Sequence, residues 1–276
     1  MTLTDPDSHL RRTPGVIHIY GPNAFAGMRK AGALAALCLD ELVGFVRPGI
    51  TTGAVDDFVS EFARRHKAMP ATLMYRGYAH SCCTSLNHVV CHGIPDDRLL
   101  KSGDILNVDV TLIVDGWHGD SSRMYLIGDI PRRAERLVEV TYEAMMRGIA
   151  TIKPGSTMGD LGHAIQVFAE RERCCVVRDF CGHGIGRLFH DEPNVLHYGV
   201  PNDGVVFRPG MIFTVEPMIN LGRYAVKILG DGWTAVTRDR SLSAQFEHTV
   251  GVTADGVEIF TLSPGGYHCP PYRQGA

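Results

Sequence analysis

An internal repeat limits the folds open to this sequence more than any other feature. The segments "VRPGITTGAVDDFVSEFARR" (46–65) and "IKPGSTMGDLGHAIQVFAER" (152–171) match at proline, both glycines, threonine, phenylalanine, alanine and the final arginine. At nearly the same offset, "KSGDILNVD" ending at Asp109 aligns with "RPGMIFTVE" ending at Glu216. Such self-similarity indicates duplicated supersecondary units. We therefore predict two similar halves, related by a pseudo-twofold axis, that share one sheet and meet at a central ligand-binding cleft.

Apolar spacing predicts the helices and strands of these halves. Helices are expected over 22–46, about 51–66, 131–150, and after Thr157, where Asp160 gives capping-box spacing. Strands are expected near 81–84 and 89–91, over 105–114 and 122–127, and through much of 176–261. The tripeptide DGW recurs at 115–117 and 231–233, which adds to the evidence for a repeat. Together these elements are typical of the α/β (α+β) class.

The composition excludes several classes of function. A net charge of −3 over 276 residues gives no basic surface for nucleic acid, and no run of eighteen apolar residues could cross a membrane. The polar segment 1–12 lacks the apolar stretch of a secretion signal. Eight cysteines without a CxxC pair are expected to be free thiols, as in a cytosolic protein. We expect a cytoplasmic protein, a monomer, with no nucleic-acid or membrane partner.

Two acids of the first half are expected on one face of a β-hairpin. Asp115–Gly116 is a strong signal for a two-residue type I′ turn. With that turn, Asp109 pairs with Ser122, and Asp109 and Asp120 are diagonal neighbours about 6–8 Å apart. Two such carboxylates repel each other unless a cation or a proton lies between them. Without further partners, a pair of solvated strand acids explains the pattern equally well.

The second half offers matching partners. Glu216 takes the place of Asp109 in the repeat, and Glu247 lies in another strand-like run. Four carboxylates facing one cavity need strong positive charge, which two divalent cations supply. Histidines to complete such a site are His183, in the glycine-rich stretch "CGHGIG" with His190 close behind, and His92 in a similar "HGI" context.

Six segments resemble those of one enzyme family. "HGIPDD", "DVTLIVDGWHGDSS", "CGHGIG", "FHDEPNV", "TVEPM" and "DRSLSAQFEHT" are together similar to bacterial type I methionine aminopeptidase. The resemblance implies the pita-bread fold, in which two pseudo-symmetric halves share a curved antiparallel sheet covered by helices. It predicts an N-terminal extension (1–21), one catalytic domain (22–263, with half-repeats of about 22–130 and 131–263) and a C-terminal tail (264–276).

The resemblance also implies roles for the site residues. The expected metal ligands are Asp109, Asp120, His183, Glu216 and Glu247, with Asp120 and Glu247 bridging two divalent ions (Mn, Fe, Co, Zn or Ni). The implied reaction is attack of a hydroxide held between the two ions on the carbonyl of an N-terminal methionine. His190 would stabilise the oxyanion, His92 would contact the scissile nitrogen, and Glu216 would also act as general acid/base.

The substrate implied is a nascent polypeptide near the ribosome, with initiator methionine followed by a small residue. The expected walls of the methionine pocket are Tyr75, Tyr78, Cys83, Phe189 and Trp233. A weaker implication is one Na or K ion bound by backbone carbonyls at Asn87, Val89 and Ser243. His88, Cys82 and the stretch 79–81 depart from the family pattern and bear on substrate preference.

Two other functions remain open from the sequence. A proline-specific aminopeptidase or dipeptidase of the same fold usually has a large additional N-terminal domain, whereas about twenty residues precede the first helix here. A catalytically inactive module of this fold, used for protein binding, would lose metal ligands, whereas all five are present. Cys91 is expected near the cleft as a modifiable thiol without a nucleophilic role.

Overall fold

The computed structural model describes residues 13–272 of the chain. Its helices begin and end within two residues of the predicted bounds: α1 (Pro22–Phe45), α2 (Thr52–Arg65), α3 (Arg132–Ala150) and α4 (Met158–Arg171), with a 3₁₀ turn at Tyr75–Gly77. The predicted capping box of α4 is present, with Thr157 and Asp160 bonded to each other's backbone. The predicted N-terminal extension and C-terminal tail are described only over 13–21 and 264–272.

Fifteen strands, most of them short, lie between and after these helices in the described chain. In chain order they are β1 (Met69–Pro70), β2 (Cys83–Leu86), β3 (Val89–Cys91), β4 (Ile105–Val114), β5 (Trp117–Leu126), β6 (Cys175–Val176), β7 (Gly182–Gly184), β8 (Asp191–Val195), β9 (Ile212–Val215), β10 (Met218–Asn220), β11 (Val226–Ile228), β12 (Ala235–Thr237), β13 (Ser243–Gln245), β14 (Glu247–Val252) and β15 (Val257–Ile259). The strand expected from Ser122 in fact begins at Trp117, because the whole hairpin is paired.

A nine-stranded antiparallel sheet joins the two halves. Its strand order is β1-β4-β5-β14-β9-β7-β8, with β15 added on β14 and β2 added on β4. Within this order β4 and β5 of the first half take places equivalent to β9 and β14 of the second, and β5 pairs with β14 at the seam. Helix α1 packs on β4 and β5, whereas α3 packs on α4 and β9. The predicted pair of similar halves sharing one sheet is confirmed.

The recurrence of the tripeptide DGW does not reflect the duplication, contrary to the prediction. The first DGW forms the β4–β5 turn of the large sheet, but the second lies in the loop between β11 and β12, in a separate three-stranded sheet. The two tripeptides therefore hold non-equivalent places, and their recurrence reflects the common use of Asp-Gly in turns rather than the duplication.

The β4–β5 hairpin has the predicted turn and register. Asp115 (φ 50°) and Gly116 (φ 76°) both adopt positive φ, as a type I′ turn requires. The strands pair Thr111 with Asp120 and Asp109 with Ser122. Because a shift of one residue would move every side chain to the opposite face, this two-residue turn places both acids on the same side of the sheet.

Helix α1 lies unusually close to the strand that carries Asp120. A Cβ atom on Gly119 would stand 2.2 Å from the carbonyl carbon of Ala31, so the helix can approach only a glycine. Buried residues of the helix, among them Met28, Leu39 and Leu42, cover the sheet behind the hairpin. This packing holds the acid-bearing strand rigid from its outer face.

Two further sequence expectations can be compared with the described residues. The eight cysteines are free, as predicted, and five of them are buried. Between residues 13 and 272, none of the helices combines the length and apolar composition that crossing a membrane requires.

Candidate active site

All the residues predicted for catalysis, divalent-metal binding and the methionine pocket line one cleft. Its volume is about 340 Å³, and each half of the chain contributes to its walls. The predicted residues in the lining are Tyr75, Tyr78, Cys83, His92, Asp109, Asp120, His183, Phe189, His190, Glu216, Trp233 and Glu247. The fold therefore brings together residues that the sequence predicted as one site although they lie far apart along the chain.

The four carboxylates share the inner end of this cleft. Ligand atoms of Asp120, His183 and Glu247 all lie within 4.8 Å of one another. Burial raises the pKa of Asp109 to about 7. Burial and the charge of the neighbouring acids raise the pKa values of Asp120, Glu216 and Glu247 well above their usual range. The group resists carrying four negative charges without compensating cations.

The imidazole of His183 is oriented as a metal ligand would be. Its Nδ1 lies 3.1 Å from the carbonyl oxygen of Gly184, which accepts a hydrogen bond from a protonated Nδ1. In that tautomer the lone pair of Nε2 faces the acids, 3.6 Å from Oδ2 of Asp120 and from Oε1 of Glu216. A backbone carbonyl on the far ring nitrogen is the usual support of a metal-binding histidine.

A glycine makes this orientation possible. A Cβ on Gly184 would stand 1.9 Å from the carbonyl oxygen of Glu192 on β8, so β7 and β8 can approach only without a side chain there. The backbone N–H of His183 also donates to Oγ1 of Thr214 at 3.0 Å. The strand carrying the histidine is thereby fixed on both sides.

Buried hydroxyl groups hold two of the acids. Thr111 donates to Oδ1 of Asp120 at 2.6 Å, and Thr214 donates to Oε1 of Glu216 at 2.7 Å. The backbone N–H of Glu216 donates to Nε2 of His197, whose pKa burial lowers to about 3, so that this imidazole is a neutral acceptor. Each hydroxyl leaves the other carboxylate oxygen for a further partner.

The donor set fits divalent metal. A neutral imidazole nitrogen and carboxylate oxygens are ligands shared by Mn, Fe, Co, Zn and Ni, and their negative charge offsets that of two dications closely. Among the described residues, the salt-bridge partner of Asp120 and of Glu216 is His183. One imidazole cannot offset the negative charge of four carboxylates. The residues present therefore suit the metal that the sequence implies.

Two further histidines lie at the outer side of the acids. Burial lowers the pKa of His92, and burial with the neighbouring His183 lowers that of His190 well below its usual range. Both rings are therefore neutral at pH 7. Within the described residues, Nδ1 of His190 is buried without a hydrogen-bond partner. A buried polar nitrogen of this kind in a cleft is placed to bind a ligand.

Aromatic rings form the wall between the acids and the mouth. Tyr75 stacks on His190 and contacts Phe189, both with centroids 5.0 Å apart, and Tyr78 meets Trp233 edge-on at 5.0 Å. Cys83 lies opposite Asp109 in the β2–β4 pair. The cleft thus combines a polar inner end with an aromatic and sulfur-containing wall.

The cation site predicted at Asn87, Val89 and Ser243 lies outside this lining. The carbonyl oxygen of Asn87 accepts a hydrogen bond from the N–H of Ser243 at 2.9 Å, so these two residues are adjacent. The buried hydroxyl of Ser243 has no hydrogen-bond partner among the described residues. This site stays a prediction.

Sequence patterns did not predict seven residues of the cleft: Thr72, Arg76, Asp179, Phe180, Cys181, Asn194 and Met218. Three of them, 179–181, directly precede "GHG", and Arg76 lies between two predicted pocket tyrosines, so proximity to recognised motifs was the available signal. Their orientation depends on loop geometry that sequence patterns do not encode.

The curled antiparallel sheet and the cluster of acids with histidine define a metal-dependent hydrolase. The model of metallopeptidase family M24 matches residues 26–254, and the chain belongs to this family. The family, together with the buried cluster of Asp120, His183 and Glu247, supports divalent-metal binding. The pita-bread fold predicted from the sequence is confirmed.

Proteins of high sequence identity to this chain share one name. The methionine aminopeptidase of Rickettsia prowazekii (strain Madrid E) is 55% identical over 257 residues, which is 93% of this chain and 99% of the relative. That of Escherichia coli (strain K12) is 49% identical over 248 residues, 89% of this chain and 94% of the relative. A crystal structure of methionine aminopeptidase from Rickettsia prowazekii superposes with a TM-score of 0.89, at 55% identity, over 90% of this chain and 100% of that one.

Proposed function

We propose that this chain removes the N-terminal methionine from peptides and nascent proteins whose second residue is small. The reaction is a metal-dependent hydrolysis, and the enzyme is a methionyl aminopeptidase. The observation that carries this proposal is the meeting of Asp120, His183 and Glu247 in one buried cluster beneath an aromatic and thiol wall. Aromatic rings and sulfur suit a flexible thioether side chain.

The proposal includes two divalent ions. Asp120 and Glu247 would bridge them, Asp109 would bind the second, and His183 with Glu216 would complete the first. Four carboxylates around one cavity carry enough negative charge for two dications, and burial disfavours leaving any of that charge uncompensated. When bound, the ions polarise the substrate carbonyl and lower the pKa of water to near neutrality.

The side chains of the cleft would act on the substrate as follows. His190, neutral because it is buried, donates an N–H to the carbonyl oxygen as negative charge develops there. His92 contacts the nitrogen of the scissile amide. Glu216 holds the proton and passes it to the leaving amine, with its Oε1 kept in place by Thr214.

We propose further that backbone carbonyls at Asn87, Val89 and Ser243 bind a monovalent cation; the hydroxyl of Ser243, which has no hydrogen-bond partner among the described residues, offers a further oxygen there. We also propose that the enzyme is a cytoplasmic monomer that acts on nascent chains near the ribosome. Eight free thiols support a reducing compartment. The identity of the divalent ions is set by availability among Mn, Fe, Co, Zn and Ni.

One experiment tests the function directly. Purified protein would be assayed for methionine release from Met-Ala-Ser and from Met-Lys peptides, with and without a chelator. We expect cleavage of Met-Ala-Ser that the chelator abolishes and added metal restores, and little cleavage of Met-Lys. Chelator-insensitive release, or equal rates on both peptides, would contradict the proposal. An X-Pro dipeptide in the same assay distinguishes the proline-specific alternative.

A further inference from the structure

A strained turn stands at the mouth of the cleft. Met74 (φ 69°) and Arg76 (φ 48°) both lie in the left-handed region, although neither is glycine. Such backbone persists where its surroundings impose it, and it concentrates at functional sites. The turn is therefore a candidate for contact with the substrate.

Hydrogen bonds at both ends fix this turn. The N–H of Tyr75 donates to the carbonyl of Thr72 at 3.0 Å, and that of Met74 donates to the carbonyl of Tyr78 at 2.6 Å. The single hydroxyl proton of Tyr78 is also shared between two backbone carbonyls, those of Cys82 at 3.1 Å and Gly93 at 3.2 Å. The segment is therefore held as a fixed part of the cleft rim.

The side chain of Arg76 extends the ring stack that leads to the reacting groups. Its Cζ lies 5.3 Å from the centroid of Tyr75, whose ring stacks on His190 at 5.0 Å. Arg76 is exposed, whereas Asp120, Glu216 and Glu247 behind His190 are buried. A guanidinium has five N–H donors in one plane, more than a single contact within the protein uses, so it can bind a carboxylate as well.

The two halves place opposite charges at this rim. Arg76 comes from the first half and Asp179, also exposed, from the second, and both line the cleft. In an exopeptidase the first residue occupies the buried end, so the rest of the chain leaves through the mouth. An extended peptide advances about 3.3 Å per residue, which brings the residues after the second past this rim.

We propose that Arg76 determines specificity for the residues that follow the second position of the substrate. Its guanidinium binds an acidic side chain there, so the enzyme cleaves Met-Ala peptides with downstream Glu faster than those with downstream Lys. The inference rests on the proposed function and adds a second element of selectivity to the methionine pocket. Asp179 opposes this preference from the other side of the mouth.

The test compares amidated peptides of the form Met-Ala-X-Y, with Glu, Ser or Lys at X and then at Y. We expect a kcat/KM ratio of Glu to Lys peptides of about two- to fivefold in low salt, the range of an exposed ion pair. The ratio should fall to one or below in Arg76→Ala, where Asp179 remains, fall further below one in Arg76→Glu, and rise in Asp179→Asn. These contacts are solvent-exposed, so 0.5 M salt should lower the wild-type ratio. At that ionic strength the Debye length is only about 4 Å, and the ion pair is screened.

Controls separate a local contact from other effects. Arg29→Ala removes an equal charge from helix α1, where Arg29 pairs with Glu258, and should keep the wild-type ratio. Arg76→Lys keeps the charge and should keep part of the preference. Circular dichroism and metal titration show whether each variant is folded.

Three outcomes would overturn the proposal: a wild-type ratio of one at both positions, an unchanged ratio in folded Arg76→Ala, or the same change in Arg29→Ala. The neutral Ser peptide separates this proposal from the proposed function. If wild-type enzyme with metal cleaves it but shows no Glu preference, only the role of Arg76 fails. If it is not cleaved, both fail.

Discussion

The hydroxyl of Thr214 donates a 2.7 Å hydrogen bond to Oε1 of Glu216, two residues further along the chain. Oγ1 of Thr214 also accepts a hydrogen bond from the backbone N–H of His183 at 3.0 Å. One buried hydroxyl thus holds two proposed ligands of the same ion. Thr214→Val keeps the shape of the side chain and removes both bonds. We expect metal affinity to fall about 10- to 100-fold, measured by calorimetric titration of metal-free protein.

Thr214→Ser is the matched control, since it keeps the hydroxyl and loses only a methyl group. Its metal affinity should stay much closer to that of wild type. Equal affinities of the valine and serine variants would show that the hydroxyl does not position the ligands. Circular dichroism of the metal-free variants excludes unfolding as the cause.

Asp120→Asn should abolish binding of at least one divalent ion. The amide keeps the size of the side chain but supplies no negative charge to the cluster with His183 and Glu247. Calorimetric titration measures the number of ions bound. Asp129→Asn, at an exposed position, serves as control and should bind as wild type does. Two intact sites in Asp120→Asn would refute the bridging role.

His190→Ala should fold and bind metal but lose about 10²- to 10³-fold in kcat. In the proposed mechanism its neutral ring donates to the oxyanion and ligates no ion. Metal content by elemental analysis and turnover of a Met-Ala-Ser peptide are the two measurements. A variant with wild-type metal content and undiminished turnover would rule out this role.

Asp160→Ala should lower the free energy of unfolding by about 1 kcal/mol at pH 7, because the capping box of α4 is lost. Hydrogen bonds from the N–H groups of Asn202 and Thr157 lower the pKa of Asp160. A lowered pKa means that the ionised acid stabilises the fold above its ordinary pKa, and that this contribution is lost as pH falls through the lowered value.

The difference between wild type and Asp160→Ala should therefore shrink below about pH 4. Urea titrations at several pH values, each with both proteins in the same buffer, measure it. Asp160→Asn keeps an acceptor without the charge and should show a smaller pH dependence than wild type. A difference that is constant from neutral to acidic pH would exclude a role for the ionised carboxyl.

The sequence predicts the first half of the site from local chemistry alone. Because Asp115–Gly116 determines a two-residue turn, the facing of Asp109 and Asp120 follows from the pleat of the strands. The place of Glu216 follows from the repeat, and Glu247 was recognised as a carboxylate within a strand-like run. In these cases a local rule fixes the side-chain direction, so the prediction needs no knowledge of the tertiary structure.

The remaining walls depend on contacts between distant segments. Trp233 meets Tyr78 across the cleft, which the family resemblance implied but no local pattern could show. Arg76 reaches the rim because of two left-handed residues that no local pattern requires. Tertiary packing decides these positions, and a single sequence carries no direct record of it.

The proposed bridging acids belong to different halves of the chain, Asp120 on β5 and Glu247 on β14. Ions held between them would fasten together segments nearly half the chain apart, and so close a very long loop. Such a fastening also favours the folded chain by mass action, since the unfolded chain offers no preformed site. Depletion of metal would then loosen the seam of the sheet as well as stop the reaction, and the supply of ions would govern how long the protein lasts.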